Sequence, residues 1–150
     1  MGKLRDYIDK LRSYTPELIE REIFQIVKNQ ENVAVDLITS QLMHGHDGEG
    51  KSLGEYKYPW YAEFKKTLNP RGVVDLKLEG DFHASIFIES NGFPVMFNAS
   101  DEKADKLIDK YGEDILKLSK DNLTVFARGY LEDPIKALYR KILRVRELAA

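Results

Sequence analysis

Apolar and polar positions change their period several times along this chain. From Lys3 to Tyr14 charges alternate with Leu4, Tyr7, Ile8 and Leu11, a spacing of three and four that predicts a short amphipathic helix or arm over residues 1–14. Its burial needs a partner surface. Thr15-Pro16 then predicts an N-cap followed by proline at the first helical position, with Glu17 and Glu20 at the positive end of the dipole. Ile19, Ile23, Ile26, Gln30, Val33, Leu37 and Ser40 keep near-heptad spacing with no breaker before Gly45. That predicts one helix of roughly 28 residues and about 40 Å, either lying across the core or overhanging it toward a neighbouring copy.

The period drops to two at Val73–Asn98. Val74, Leu76 and Leu78 alternate with Asp75, Lys77 and Glu79, the pattern of a strand with one buried and one wet face. Asn91-Gly92, between Ser85–Ser90 and Phe93–Asn98, predicts a tight hairpin turn. The fold class expected is α+β, a single domain with a small antiparallel sheet at about residues 73–98, around which the helices are organised. Tyr61, Phe64, Lys65 and Leu68 suit a short helix ended by Asn69-Pro70. Ser100 caps a helix with Leu107, Ile108 and Tyr111 on its buried edge and Gly112 at its end, and Ile115, Leu116 and Leu118 follow in a short turn. Leu131, Ile135, Leu138, Ile142 and Val145 form the stripe of a final helix, with Asp133-Pro134 as a kink or a fresh start.

The segment Leu78-Glu79-Gly80-Asp81-Phe82, followed by Ser85-Ile86, resembles the Leu-x-Thr-Gly-x-Phe/Leu-x-x-Ser-Ile segment of tail-completion and virion-morphogenesis proteins of tailed bacteriophages. Glu79 stands where those proteins usually have Thr. Gly50, Lys51, Leu53 and Tyr56 upstream, and Ser100–Leu107 and Tyr111–Leu118 downstream, extend the likeness over residues 48–120. It is similar above all to small structural proteins of Bacteroides-type and crAss-like phages. The resemblance implies a structural virion protein, a head–tail connector, neck or tail-completion component forming a ring between portal and tail; that no Ser/His/Asp or Cys/His nucleophile arrangement suggests itself adds the expectation of no enzyme and no cofactor. Its motif residues are Leu78, Gly80, Asp81, Phe82, Ser85, Tyr111 and Gly112. Its implied partners are further copies of itself, the portal, other neck or tail proteins and, passively, packaged double-stranded DNA. Its implied place is the virion neck, after assembly in the host cytoplasm.

Composition narrows the remaining classes. A chain of 150 residues is long enough for one core without staples, and it has no cysteine for disulfide or thiolate chemistry. The first residues carry charges every few positions, unlike a signal peptide or membrane span. A net charge of −2 argues against a dedicated nucleic-acid binder, whose footprint is strongly basic. Charge is nonetheless uneven: from Pro134 onward Lys136, Arg140, Lys141, Arg144 and Arg146 face Glu147 alone. Arg140 and Arg144 are therefore candidate contacts to an acidic partner, while Tyr56, Tyr58 and Trp60 beside the polar loop 44–59 are candidate interface anchors.

Three patterns suggest chemistry. Gly45–Ser52 satisfies the Walker A spelling, which raises the alternative of a small nucleotide-handling enzyme; yet a phosphate loop needs a strand before it and a helix after it. Here a long helix precedes, and Leu53–Pro59 is a poor helix. His44, His46 and Asp47 could begin a metal set, with His83 the only other histidine. Asp75, Glu79 and Asp81 make a carboxylate cluster, but on a strand's wet face such charges serve to keep edges from pairing. A host-protein adaptor domain, binding through the aromatic cluster, is a further alternative.

Overall fold

The computed structural model describes residues 2–77 and 79–149. Leu78 lies outside the described residues, as do the side chains of Tyr7, Leu11, Val145 and Arg146. The fold is α+β and mostly helical, with one small antiparallel sheet among the described residues. Helix α1 spans Gly2–Ser13, and α2 spans Pro16–Asn29 behind the expected cap, in which Thr15 Oγ1 accepts from Leu18 N at 3.2 Å.

The long helix expected from Pro16 to Gly45 is two helices. Gln30 (φ −102°, ψ 16°) separates α2 from α3, Glu31–Met43. Neither glycine nor proline marks the break, so its cause is tertiary. Glu31 Oε2 accepts from Ile88 N at 2.7 Å and from Lys28 Nζ at 2.6 Å, while Lys28 Nζ also reaches Ile88 O at 3.3 Å. The junction thus seals the outer edge of the strand Ile86–Ile88.

The organising element is α3 rather than the sheet. Ala34, Ile38 and Leu42, at steps of four, are wholly buried. Ile38 and Leu42 join Leu53, Val74, Phe82, Ile86, Ile115 and Leu116 in one core cluster; Ala34 joins Phe24, Val27, Ile88 and Phe126 in a second. Phe97 and Leu118 pack against both. Gln41 locks the far side: its Nε2 donates to Lys117 O at 2.9 Å, and its Oε1 accepts from Ser119 N at 2.6 Å and Asn122 Nδ2 at 2.9 Å.

The sheet is smaller than its sequence pattern suggested. Strand β1, Ile86–Ile88, pairs antiparallel with β2, Phe97–Ala99, in the register Ile86–Ala99, Phe87–Asn98, Ile88–Phe97. The hairpin does not turn tightly on Asn91-Gly92. Gly92 takes no positive φ, and the connection runs from Glu89 to Met96, closed by Glu89 N donating to Met96 O at 2.8 Å. Phe93 is drawn over α2, edge-on to Phe24 with ring centroids 5.9 Å apart, and that contact widens the loop. Val73–Lys77 forms no strand at all, for a reason that lies in its own buried charge.

Helix α4, Pro59–Leu68, has Pro59 at its first turn, and a short turn of helix, α5, spans Asp81–Ala84. Helix α6 spans Ala104–Tyr111 and begins four residues after Ser100, because Asp101 accepts from Lys103 N at 2.8 Å through its carboxylate and from Ala104 N at 3.0 Å through its carbonyl. A 3₁₀ turn at Glu113–Leu116 inserts Ile115 and Leu116 into the core. Ser119 caps α7, Lys120–Phe126, which runs through a π-helical turn at Ala127–Leu131 into α8, Glu132–Ala149. Asp133-Pro134 is therefore not a fresh start; the wider turn just before it accommodates the N–H that proline lacks. The stripe Leu131, Ile135, Leu138 and Ile142 faces inward as expected, and α1 finds its partner surface on α8 of the same chain.

The loop from His44 to Tyr58 is pinned. Asp47 is buried, its Oδ1 accepting from Glu49 N and Lys51 N, each at 2.9 Å. Gly48 N donates to Asp114 O at 2.8 Å, and a Cβ on Gly48 would stand 2.5 Å from Lys117 O. Gly48→Ala is expected to lower the unfolding free energy by about 1–3 kcal/mol, because backbone has to move aside. The check is a urea titration, with a lower midpoint at unchanged slope; a parental midpoint would mean that the loop is free to move away from Lys117.

Candidate functional site

Helix α4 is turned inside out with respect to its sequence. Trp60, Phe64 and Leu68, at steps of four, are 70%, 46% and 50% exposed, while Lys65 between them is 2% exposed. The inward row is Tyr61, Lys65 and Asn69, and what it meets is polar. Lys65 Nζ donates to Asp75 Oδ1 at 2.8 Å and also to the Lys77 carbonyl. Asn69 Nδ2 donates to Asp75 Oδ2 at 3.1 Å and to Met43 O at 2.9 Å. Lys77 N completes the Asp75 carboxylate at 2.9 Å, and His83 Nε2 bonds the Asp75 carbonyl at 2.8 Å.

This arrangement explains why Val73–Lys77 is not a strand. Asp75 was expected on a wet face, yet it is 1% exposed. A buried carboxylate has to be paired and hydrogen-bonded. Bending the chain so that Lys77 N returns to Asp75 supplies one donor, and Leu76 takes φ 56° in the process. That positive φ is uncommon for a non-glycine residue and marks a backbone held by its surroundings.

The electrostatics follow. Burial pushes the Asp75 carboxyl upward, but the Lys65 ammonium, the Lys77 N–H and the Asn69 amide outweigh it and hold the group below its ordinary value. Burial lowers His83 against the opposing pull of Asp75, so the ring is held neutral. Burial and the Asp75 charge together push the Tyr56 phenol up; its hydroxyl donates to Val73 O at 3.1 Å, and its ring lies 5.9 Å from Lys65 Nζ. A cleft of about 340 Å³ opens above the pair, lined by Tyr61, Lys77, Asp81, Lys103 and Tyr111 among others. The Lys65 side chain is taken up by Asp75 and by the Lys77 carbonyl at the floor of this cleft.

The remaining candidates fall into place around this centre. Gly80 caps α5 at φ 94°, Asp81 opens its first turn, Phe82 is buried in the core, and Ser85 Oγ donates to Phe82 O at 2.8 Å. Tyr111 ends α6, and Gly112 stops it at φ 89°. Tyr56 turns inward against the core and is no surface anchor, whereas Tyr58 and Trp60 stack at 6.4 Å in the open. Asp75, Glu79 and Asp81 do not act as one wet-faced cluster, since Asp75 is sealed by Lys65. The N–H groups of Glu49 and Lys51, which a Walker-type loop would aim at phosphate, are engaged by Asp47, and the backbone after Ser52 stays non-helical as far as Tyr58. His44 Nδ1 is spent on Ser40 O at 2.7 Å, and no group of three metal-ligating side chains converges among the described residues. None of the described helices is long and apolar enough to cross a membrane. The sequence signal for the ion pair was the single lysine among the apolar positions of α4.

Comparison with known proteins finds no matching family model, no matching curated protein and no matching solved structure.

Removing one member of the pair strands the other. Asp75→Ala or Lys65→Ala is expected to cost about 3–5 kcal/mol, whereas Lys65→Met with Asp75→Leu loses far less; chemical denaturation of the three variants measures the difference. Stability also has a pH signature. The His83 pKa is lowered on folding, so the unfolded chain takes up protons first and stability falls as pH drops below about 6.5, until the folded ring protonates. Asp75 adds a second loss as pH falls from about 3.8 through its lower folded value. His83→Gln is expected to flatten melting temperature between pH 7 and pH 5 while leaving the more acidic fall in place.

Proposed function

We propose that this chain is a structural virion protein of a tailed phage, a neck, head–tail connector or tail-completion subunit that assembles into a ring between portal and tail. The observation that carries the reading is the outward row of α4. Trp60, Phe64 and Leu68 share one face with Tyr58, and a hollow formed by Trp60, Tyr61, Phe64, Leu68 and Glu79 lies on it. Scattered exposed apolar residues are ordinary, but an aromatic patch on one helix face is the composition of protein-contact hot spots.

The buried polar network supports a binding role over a reacting one, because its charges are consumed in holding α4 in place. The likeness around Gly80–Ile86 supplies the class of assembly, and the motif residues have structural work that fits it: a left-handed cap at Gly80, a core anchor at Phe82, a helix stop at Gly112. Assembly in the host cytoplasm and residence in the neck complete the proposal.

Mass spectrometry and electron microscopy of purified particles are expected to find the chain at the neck, in ring stoichiometry. Its presence in infected cytoplasm but never in particles overturns the reading and favours a host adaptor. Trp60→Ala with Phe64→Ala is expected to leave stability within about 0.5 kcal/mol, since both side chains are largely exposed, and to deplete the chain from particles; undiminished incorporation would show that the patch is not the contact.

A further inference from the structure

The molecule carries two more surfaces that the patch on α4 does not use, and they are opposite in character. The first is a groove of about 350 Å³ between β2 and the α6 region, with Val95, Met96, Phe97, Ile108 and Leu116 in its wall. Its charged rim is Glu89, Asp105, Glu113 and Lys117, and Lys117 is already paired with Asp114 at 2.6 Å. No cation among the described residues stands at salt-bridge distance from Glu89, Asp105 or Glu113. Met96 is 56% exposed within this acidic rim.

The second surface is the outer side of α8. Arg140, Lys141 and Arg144 are exposed and have no carboxylate at salt-bridge distance among the described residues. Tyr139 and Leu143, one position before the two arginines, are 62% and 36% exposed. Each step of one residue turns the helix by about 100°, so an apolar row and a basic row run side by side. Lys136 does not belong to this surface: it pairs with Glu132 at 2.6 Å. It also stands well inside a helical run that starts at Lys120, so the macrodipole does not set it against its position.

We propose that the groove beside β2 on one copy receives the Tyr139–Arg144 face of α8 from the next copy, in a head-to-tail contact. The inference deepens the assembly reading above and rests on it. Charge and polarity match on both sides: an apolar wall with an acidic rim meets an apolar row with a basic row. The two patches are unlike and sit on one chain, which is the requirement for a heterologous contact that repeats around a ring instead of closing as a dimer. Complementary charge of this kind fixes register and steers encounter, and it weakens with salt.

The test uses the full chain and two charge-reversed forms, Arg140→Glu with Arg144→Glu and Asp105→Lys with Glu113→Lys. Sedimentation over a concentration series at low salt is expected to show self-association of the parent that weakens as salt is raised. Each reversed form alone, now carrying two like-charged patches, is expected to associate at least about tenfold more weakly. An equimolar mixture of the two is expected to regain parental association, because each contact then joins opposite charges. Circular dichroism melting confirms that both forms fold; if the double substitution on the groove unfolds the chain, Glu113→Lys alone replaces it. A parent that stays monomeric at every concentration overturns the proposal, and so does a mixture no stronger than its components. A parent that associates while both reversed forms associate equally well overturns this contact but leaves the assembly reading standing. Absence of the chain from particles, measured separately, removes that reading whatever the sedimentation shows.

Discussion

The ion pair of Lys65 with Asp75 is the constraint on which this fold turns. Two charges that are each about 2% exposed have lost nearly all their water, and their mutual attraction repays that loss only when every other lone pair and proton is also engaged. Asn69, the Lys77 backbone and the bend at Leu76 provide those partners, and no buried side-chain polar atom among the described residues is left without one. The pair contributes little net stability of this kind by itself. Its effect is on geometry: it fixes the rotation of α4, it prevents Val73–Lys77 from joining a sheet, and the bend it imposes presents the Asp75 carbonyl to His83 Nε2.

The rotation of α4 has a consequence at the surface. A ten-residue helix with four large apolar side chains would ordinarily bury them, and the hydrophobic gain from doing so is on the order of 1.5–3 kcal/mol per side chain. Here three of them stay outside because the inward row is committed to Asp75 and Met43 O. The fold forgoes that gain where the aromatic residues lie, and the neighbouring polar network prevents the helix from rolling to recover it. A surface maintained against the hydrophobic effect is a stronger sign of a contact site than a surface that happens to be apolar.

What could be read from the sequence, and what could not, divides along the same line. Local rules worked wherever the local energy decided the outcome: Thr15-Pro16 starts α2, Tyr111-Gly112 ends α6, and the 131–142 stripe faces the core. The antiparallel pairing of the segments around Asn91-Gly92 was legible too, though not its turn, because Phe93 answers to Phe24 across space. The late start of α6 is a local miss, set by Asp101, but the larger failures are long-range. Alternation at Val74–Lys77 mimicked a strand because nothing local says that Asp75 has a buried lysine waiting ten residues earlier. Unbroken heptad spacing at Ile26–Val33 concealed the break at Gln30, which exists because Glu31 is held by a strand 57 residues away. At the candidate site, the aromatic clustering singled out Tyr58 and Trp60, which are exposed, together with Tyr56, which despite the same composition signal is taken inward by its bond to Val73 O.

The glycine-rich loop shows how one spacing serves opposite ends. Closely spaced backbone N–H groups make a concavity for an anion, and in a phosphate loop that anion is the ligand. In this chain the anion is Asp47 itself, buried beneath its own loop and anchored by the approach of Gly48 to Lys117. The same holds across the interior: Asp75 is spent on Lys65, Glu31 on Ile88 N, Gln41 on Lys117 O and Ser119 N, and His83 on a carbonyl. Groups with chemical potential have been turned to the task of joining segments distant in sequence. What the chain leaves outward is apolar on α4, basic on α8 and acidic beside β2. The division has one physical cause: a rigid scaffold needs its polar groups satisfied within, and the surfaces it leaves unsatisfied lie outside.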